Sequence, residues 1–301
     1  MRSSNTALLV AVLALGALVG CGQPRHESDP APVNSAPAHL GADTVDMITR
    51  SGDYPERYHR VDVADVESIR RCMRAAGFAW AGVAGAVNPE AKEGGGVSLD
   101  VVREHGYGLS DGPEKPEKIG SGVDDTALRA ALFGAADDTA EMRSPNGPLY
   151  TFSRHGCAAQ GHIAIYGDLD TWARISYLPQ EYNLRLSTEA KADPRYETKL
   201  REWRACMAGK HYSYASPDDI VEKLIESYRT DHRPLAQRRA AEITIALQDV
   251  SCDKQVRMSA TALTLRREYA QRLPAADRAE LARLSALFRD AERRGASAPL
   301  A

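Results

Sequence analysis

The sequence lacks several motifs by which enzymes and metal sites are recognised. It contains no Cys-x-x-Cys and no His-Glu-x-x-His, two arrangements that commonly supply zinc ligands. Three glycines at residues 94–96 have neither the lysine nor the strand context of a phosphate-binding loop. Strand and helix patterns do not alternate, which argues against a doubly wound sheet and against a transporter's solute-binding protein. The sequence therefore predicts no cofactor, no metal site and no catalytic residue.

An excess of positive charge is also missing. The chain has 38 lysines and arginines against 41 acidic residues, so its net charge is −3 at pH 7. Proteins that bind nucleic acid usually present a basic patch, and we therefore expect no nucleic-acid partner. Hydrophobic residues make up 43% of the chain, which is enough for a packed core.

Long apolar runs are scarce, and the clearest one covers residues 7–20, shortly after Arg2. This run is shorter than the roughly 20 residues that a membrane-spanning helix needs, and it has the form of a signal-peptide core. It ends in Leu18-Val19-Gly20-Cys21, which resembles the lipobox of bacterial lipoproteins. The resemblance implies cleavage before Cys21 and lipidation of its thiol. The alternatives are an ordinary signal peptide with a chance cysteine, or an uncleaved anchor.

The sequence after this run predicts a spacer and then a domain outside the cytoplasm. Residues 21–43 contain four prolines among small and polar residues, so they are expected to form a flexible tether. With residues 1–20 as a signal peptide, the protein is expected to be lipid-anchored on the extracytoplasmic face of the cell membrane.

Cysteine is sparse, and its number after Cys21 is even. Four cysteines remain, and an even set in an exported domain predicts disulfide bonds. Three pairings are possible, and we favour Cys72–Cys157 with Cys206–Cys252 because of an internal repeat. A cysteine nucleophile or a partial metal site, formed by Cys157 with His155 and His162, is the less favoured alternative.

The repeat consists of residues 69–80 and 203–214. Each copy carries Cys-Met near the end of a helical pattern, followed by a glycine and by two aromatic residues two places apart. Asp62 is the expected N-cap of the first helix, and Gly77 is placed for a left-handed C-cap. Gly209 comes two residues earlier than its counterpart, so the second cap is expected to be shifted. If the two halves are related, each closes its own disulfide.

Aromatic side chains flank both bridged helices. They are expected either to pack over the disulfides or to line a ligand groove. The candidate groove residues are Phe78, Trp80, Trp203, Tyr212 and Tyr214.

The remaining patterns predict a mainly α fold. Ser216 followed by Pro217 and two acids predicts a helix start, a long helix is expected from Pro234 through Leu263, and a last helix follows Pro274. Residues 149–154 alternate weakly and predict a short strand. We expect a disulfide-pinned helical ectodomain with a loop-rich first subdomain at residues 44–185. A second subdomain with long C-terminal helices is expected at residues 186–301.

The two Cys-Met helices resemble a known group of proteins when they are taken together with two further motifs. These are His-Gly-Tyr-Gly-Leu-Ser at residues 105–110 and Val-Ser-Cys-Asp at residues 250–253. Over roughly residues 60–290 the chain resembles a family of uncharacterised actinobacterial secreted proteins and lipoproteins. That family has no assigned reaction or cofactor, so the resemblance implies no catalytic residue.

These observations favour a non-enzymatic accessory or binding protein of the cell envelope. Its expected partner is an envelope protein or a cell-wall component, in addition to the membrane that receives the N-terminal lipid. The alternative is an envelope hydrolase whose site is assembled from residues distant in sequence.

Overall fold

Eleven α-helices and one β-hairpin make up the part of the chain that the computed structural model describes, namely residues 36–85, 87, 98–111, 125–144 and 147–298. The predicted signal peptide and Cys21 lie outside these residues. The elements in chain order are α1 (Ala42–Thr49), α2 (Tyr54–Ala75), α3 (Leu99–His105), α4 (Asp125–Phe133), β1 (Thr139–Arg143), β2 (Leu149–Ser153), α5 (Gly156–Tyr166), α6 (Leu169–Lys191), α7 (Pro194–Gly209), α8 (Pro217–Thr230), α9 (Leu235–Val256), α10 (Met258–Ala270) and α11 (Ala275–Ser297).

The prediction of a mainly α fold is confirmed, because 72% of the described residues are helical. Both predicted disulfides, Cys72–Cys157 and Cys206–Cys252, are present. The predicted boundary between residues 185 and 186 falls inside α6, which runs unbroken from Leu169 to Lys191. Within the described residues, no helix is both long enough and apolar enough to span a bilayer.

Three hydrophobic clusters hold the helices together. The largest joins α1, α2, α6 and α11 around Tyr54, Leu178 and Phe288. The second surrounds Trp203 and the Cys206–Cys252 disulfide, and the third surrounds Met73 and the Cys72–Cys157 disulfide. Each disulfide therefore lies in a cluster of its own.

The repeat extends to the way in which α2 and α7 end. In α2, Gly77 has φ +86° and its N–H donates to the Arg74 carbonyl, while the Phe78 N–H donates to the Met73 carbonyl. This pair of hydrogen bonds defines a Schellman C-cap. In α7, His211 and Tyr212 donate in the same way to the carbonyls of Ala208 and Met207.

The expectation of a shifted second cap is therefore wrong. His211, with φ +69°, occupies the position of Gly77, and Gly209 is the last residue of α7. The cap stays in register because Phe78 and Tyr212 must both reach the cluster at their disulfide. This tertiary requirement outweighs the preference of glycine for the left-handed position.

Further contacts repeat around each disulfide. Two residues before the first cysteine of each pair, Arg70 and Arg204 donate to the carbonyls of Gly82 and Ala215, at 2.6 and 2.7 Å. Three residues after the second cysteine, Gln160 and Gln255 each place Oε1 3.6 Å from the Sγ of Cys72 and Cys206, respectively. The repeat thus includes both partners of each disulfide.

We predict that His211→Gly stabilises the protein. The left-handed conformation costs a residue with a Cβ about 1 kcal/mol, and glycine avoids that cost. The midpoint of urea unfolding should therefore rise by an amount equivalent to at most about 1 kcal/mol, because glycine also gains entropy in the unfolded chain. His232→Gly serves as the control, since His232 is not among the described residues with positive φ. A lower midpoint for His211→Gly than for the wild type would contradict the assignment.

Several predicted boundaries are corrected. The helix that carries Cys72 begins at Tyr54 instead of after Asp62, because Tyr54 packs against Phe288, with ring centroids 5.1 Å apart. The predicted tether ends before residue 43, since Leu40 is buried and its N–H donates to Gln271 Oε1. The long helix expected from Pro234 to Leu263 is divided at Arg257, which has φ +59° and separates α9 from α10.

Two further predictions concern the strand at residues 149–154 and the start of α8. The predicted strand is present as β2, but its antiparallel partner β1 carried no pattern that we recognised. The start of α8 is confirmed, because Ser216 Oγ accepts a hydrogen bond from the Asp219 N–H. Asp219 in turn accepts one from the Ala215 N–H, so the two side chains together cap this helix.

Candidate functional site

A groove of about 640 Å³ lies between α2 and the C-terminal end of α11. Its apolar walls are built from small side chains, and His59, Arg60 and Glu292 add polar groups to the lining. At Gly295 the helices approach so closely that a Cβ would lie 3.2 Å from the Cβ of Ala64. The lining residues are His59, Arg60, Val61, Val63, Ala64, Glu292, Gly295, Ala296 and Ala298.

The two charged residues that line this groove differ in whether they form an ion pair. Glu292 is neutralised by Arg57, whose Nε and Nη2 lie 2.8 and 2.6 Å from its two carboxylate oxygens. Arg60 is exposed and has no hydrogen bond or ion pair with the described residues. The rim therefore carries one cation that has no partner among the described residues.

His59 is held in one orientation by the chain beyond α2. Its Nδ1 lies 2.7 Å from the Gly85 carbonyl oxygen, which can only accept, so Nδ1 carries the proton. The Gly85 N–H donates to Asp62 Oδ2 at 2.8 Å. The two contacts hold Gly85 against α2, and they leave Nε2 of His59 as the ring nitrogen not engaged by Gly85.

The groove lies far from the last part of the predicted tether. Arg278, near the start of α11, donates from Nε to the Pro37 carbonyl. The side chain of Gln271 accepts a hydrogen bond from the Leu40 N–H and donates one to the Leu40 carbonyl. Glu292 and Ala298 are 14 and 20 residues further along than Arg278, which corresponds to roughly 20–30 Å along the helix axis at 1.5 Å per residue. The groove is therefore at the opposite end of α11 from Pro37.

A second arrangement joins residues distant in sequence. The buried Asp65 carboxylate on α2 lies 2.8 Å from Nδ1 of His162 on α5. The Trp172 indole stacks on the imidazole, with ring centroids 3.9 Å apart and planes at 10°. The carboxylate fixes the tautomer with the proton on Nδ1, as in the Asp–His part of a hydrolytic triad. The side chain of His162 remains 15% exposed.

Among the described residues, no hydroxyl or thiol hydrogen-bonds to His162 as a nucleophile would. Cys157 is in a disulfide and is therefore not a thiolate, which contradicts the cysteine-nucleophile alternative. His155 does not join His162, since its Nε2 pairs with Asp138 at 3.0 Å. The described residues also contain no group of three side chains suited to a metal ion. Asp65–His162 has the orientation of a general base without the rest of an active site.

The structure divides the predicted groove residues between two clusters. Phe78 and Trp80 pack on the cluster around Cys72–Cys157. Tyr212 and Tyr214 pack on the cluster around Cys206–Cys252, with their rings 6.3 Å apart, and Trp203 is fully buried. The structure does not bring the five residues together, and their packing agrees with the interpretation as cover for the disulfides.

The motif at residues 105–110 has a structural role around a fully buried carboxylate. Glu242 on α9 is 0% exposed, and no lysine or arginine in the described part of the chain pairs with it. Its oxygens accept four hydrogen bonds of 2.6–3.1 Å instead. The donors are the backbone N–H groups of Tyr107, Leu109 and Ser110 and the hydroxyl of Tyr228.

A second buried carboxylate continues this network. Asp249, two turns further along α9, accepts hydrogen bonds from the Tyr107 hydroxyl and from Trp203 Nε1, at 2.8 and 2.9 Å. Burial raises the pKa of Asp249, although both hydrogen bonds oppose the shift. Burial and the hydrogen bond to Glu242 raise the pKa of the Tyr228 hydroxyl to about 12. The network ties the loop after α3 to α9 and to the second disulfide cluster.

Sequence reasoning missed the groove and the Asp65–His162 pair. Val63, Ala64, Gly295 and Ala296 carry no chemical signal, and only the packing of α2 on α11 brings them together. His162 was noted for its closeness to Cys157, whereas its partner lies 97 residues away on another helix. No sequence pattern within either helix predicts such a pair.

No protein-family model, curated protein sequence or solved structure matches this chain. The resemblance to actinobacterial secreted proteins therefore stays a prediction from residues 60–290. No relative contributes residue roles to the groove or to the Asp65–His162 pair.

Proposed function

We propose that the protein is an extracytoplasmic lipoprotein, anchored through Cys21, and that it acts as a non-enzymatic accessory or binding protein of the cell envelope. The observation that carries this proposal is the pairing of all four cysteines after Cys21 into two disulfides. Disulfides persist in oxidising compartments and are rare in the cytosol. The lipobox-like sequence at residues 18–21 supports the same location.

The groove between α2 and α11 is the proposed binding site for an envelope component. Its apolar walls have the character of ligand-binding clefts, and its volume lies within their usual range. The groove lies at the opposite end of α11 from Pro37, which belongs to the described part of the predicted tether.

The anchor is tested by Cys21→Ala. Because the lipid is attached to the cysteine thiol, we expect the variant to lose incorporation of labelled fatty acid and to leave the membrane fraction. Metabolic labelling and cell fractionation measure the two effects, with Ser28→Ala as a control that keeps the lipid. Persistent labelling of Cys21→Ala would refute the anchor, as would a wild-type protein that is cytoplasmic and fully reduced.

An envelope hydrolase is the second candidate, and Asp65–His162 is the observation that favours it. A carboxylate-oriented imidazole is a common general base. Hydrolysis of an envelope ester or peptide that His162→Gln abolishes and His155→Gln leaves intact would favour this candidate over the binding protein.

A further inference from the structure

We infer that the groove between α2 and α11 binds one acyl chain that ends in an anionic head group, with the head group at Arg60. This inference rests on the proposed function, because it names the ligand of the same site. The ligand class follows from the shape of the groove, from the chemistry of its walls and from the charge at its rim.

The walls suit a flexible aliphatic chain. The apolar lining consists of valine, alanine and glycine, and the one ring among the lining residues is the imidazole of His59, which is held at the rim by Gly85. The lining covers residues 59–64 and 292–298, which is about 9 Å along each helix. A groove of this length holds a run of methylenes and leaves the rest of a longer chain in solvent.

The charge at the rim selects an anion. Glu292 is already neutralised by Arg57, whereas Arg60 has no partner in the described part of the chain. An arginine can bind a carboxylate or a phosphate through two parallel hydrogen bonds. Asp62 does not line the groove and is engaged by the Gly85 N–H. A cationic amphiphile would bring its positive head group close to the positive charge of Arg60, and Glu292 would not offset the repulsion because Arg57 already neutralises it.

The surroundings favour a free amphiphile over a membrane surface. Adsorption to an anionic bilayer requires a cluster of unpaired basic residues. Near the groove, Arg293 is paired with Asp290 and Arg57 with Glu292, so Arg60 stands alone as the cation that lines the groove in the described residues. One cation beside an apolar slot matches one head group and one chain.

The test is calorimetric titration of the mature chain carrying Cys21→Ala, purified without detergent, with decanoate. We expect saturable binding of one decanoate per chain, weaker binding of decanol and none of decyltrimethylammonium. In the series from hexanoate to decanoate, affinity should rise by up to about fourfold per buried methylene and level off when the groove is full. Equal affinity for all three head groups would overturn the inference.

Two variants locate the site. Arg60→Ala should weaken decanoate binding about tenfold, the loss expected for a charge-assisted hydrogen bond, and should leave decanol binding unchanged. Ala296→Leu should weaken both, because the larger side chain fills the groove. The matched controls are Arg201→Ala on α7 and Ser297→Leu at the next, exposed position of α11, and circular dichroism checks that all four variants fold.

Three further results would overturn the inference. They are the absence of decanoate binding, unchanged binding by Ala296→Leu, and binding to phosphatidylglycerol vesicles without binding to free decanoate. Failure of the proposed function is distinguishable from these results, since lipid labelling at Cys21 is measured in cells and decanoate binding in solution.

Discussion

Replacing Glu242 by alanine should destabilise the protein by about 4 kcal/mol, because three backbone N–H groups that are buried or partly buried lose their acceptor at about 1–3 kcal/mol each and partial relaxation recovers some of that cost. The donors belong to Tyr107, Leu109 and Ser110, which lie more than 130 positions before Glu242. Glu242→Gln should lose about half as much, since one oxygen remains to accept hydrogen bonds. Urea unfolding measures both free energies.

The same substitution on the surface separates loss of this network from loss of a carboxylate. Glu226→Ala on α8 removes a side chain that is 56% exposed in an ion pair with Arg229, so we expect a change below about 0.5 kcal/mol. Hydrogen exchange should also accelerate at residues 107–110 in Glu242→Ala. Unchanged stability of Glu242→Ala would show that the loop is held by something other than this carboxylate.

Removing either disulfide should have an effect of similar size. The disulfides close loops with sequence separations of 85 and 46 residues, and chain entropy predicts about 4–5 kcal/mol for loops of this length. We expect Cys72→Ser with Cys157→Ser to cost slightly more than Cys206→Ser with Cys252→Ser, because its loop is longer. Urea unfolding of the two double variants, which contain no unpaired thiol from the broken disulfide, measures the difference.

The control for the disulfides is the wild-type protein under reducing conditions, in which both disulfides are broken. Its free energy of unfolding should therefore fall by more than that of either double variant. Peptide mapping without reduction should recover Cys72 with Cys157 and Cys206 with Cys252. A disulfide between Cys72 and Cys206 would contradict the structure. A double variant as stable as the wild type would instead show that the unfolded chain is already compact, as denatured ensembles sometimes are.

Local signals predicted the helices well where the cap and the helix lie within a few residues of each other. Ser216 and Pro217 mark the start of α8, and Pro274 precedes α11, because N-caps and prolines act on the adjacent turn. Local signals failed at Tyr54 and at Arg257. The first position is held by a contact with Phe288, and the second is a left-handed residue inside an otherwise continuous apolar stripe.

The repeat shows how far sequence comparison reaches. It led to both disulfides, since two related halves are expected to close separate bridges. It misplaced the second cap, because a glycine at position 209 is a stronger local signal than His211. The aromatic residue that follows each cap packs on the hydrophobic cluster around its disulfide, and this packing favours a cap in the same register.

The sequence by itself determined the helical class, several helix starts and the favoured pairing of the cysteines, because periodicity, capping and the repeat can be recognised without knowledge of the packing. Only the tertiary structure decided that Glu242 lies under residues 107–110, that Asp65 meets His162, and that α2 and α11 leave a groove beside Arg60. The reason is that each of these arrangements depends on the packing of side chains from separate helices, and the sequence of one helix does not specify where another helix packs against it.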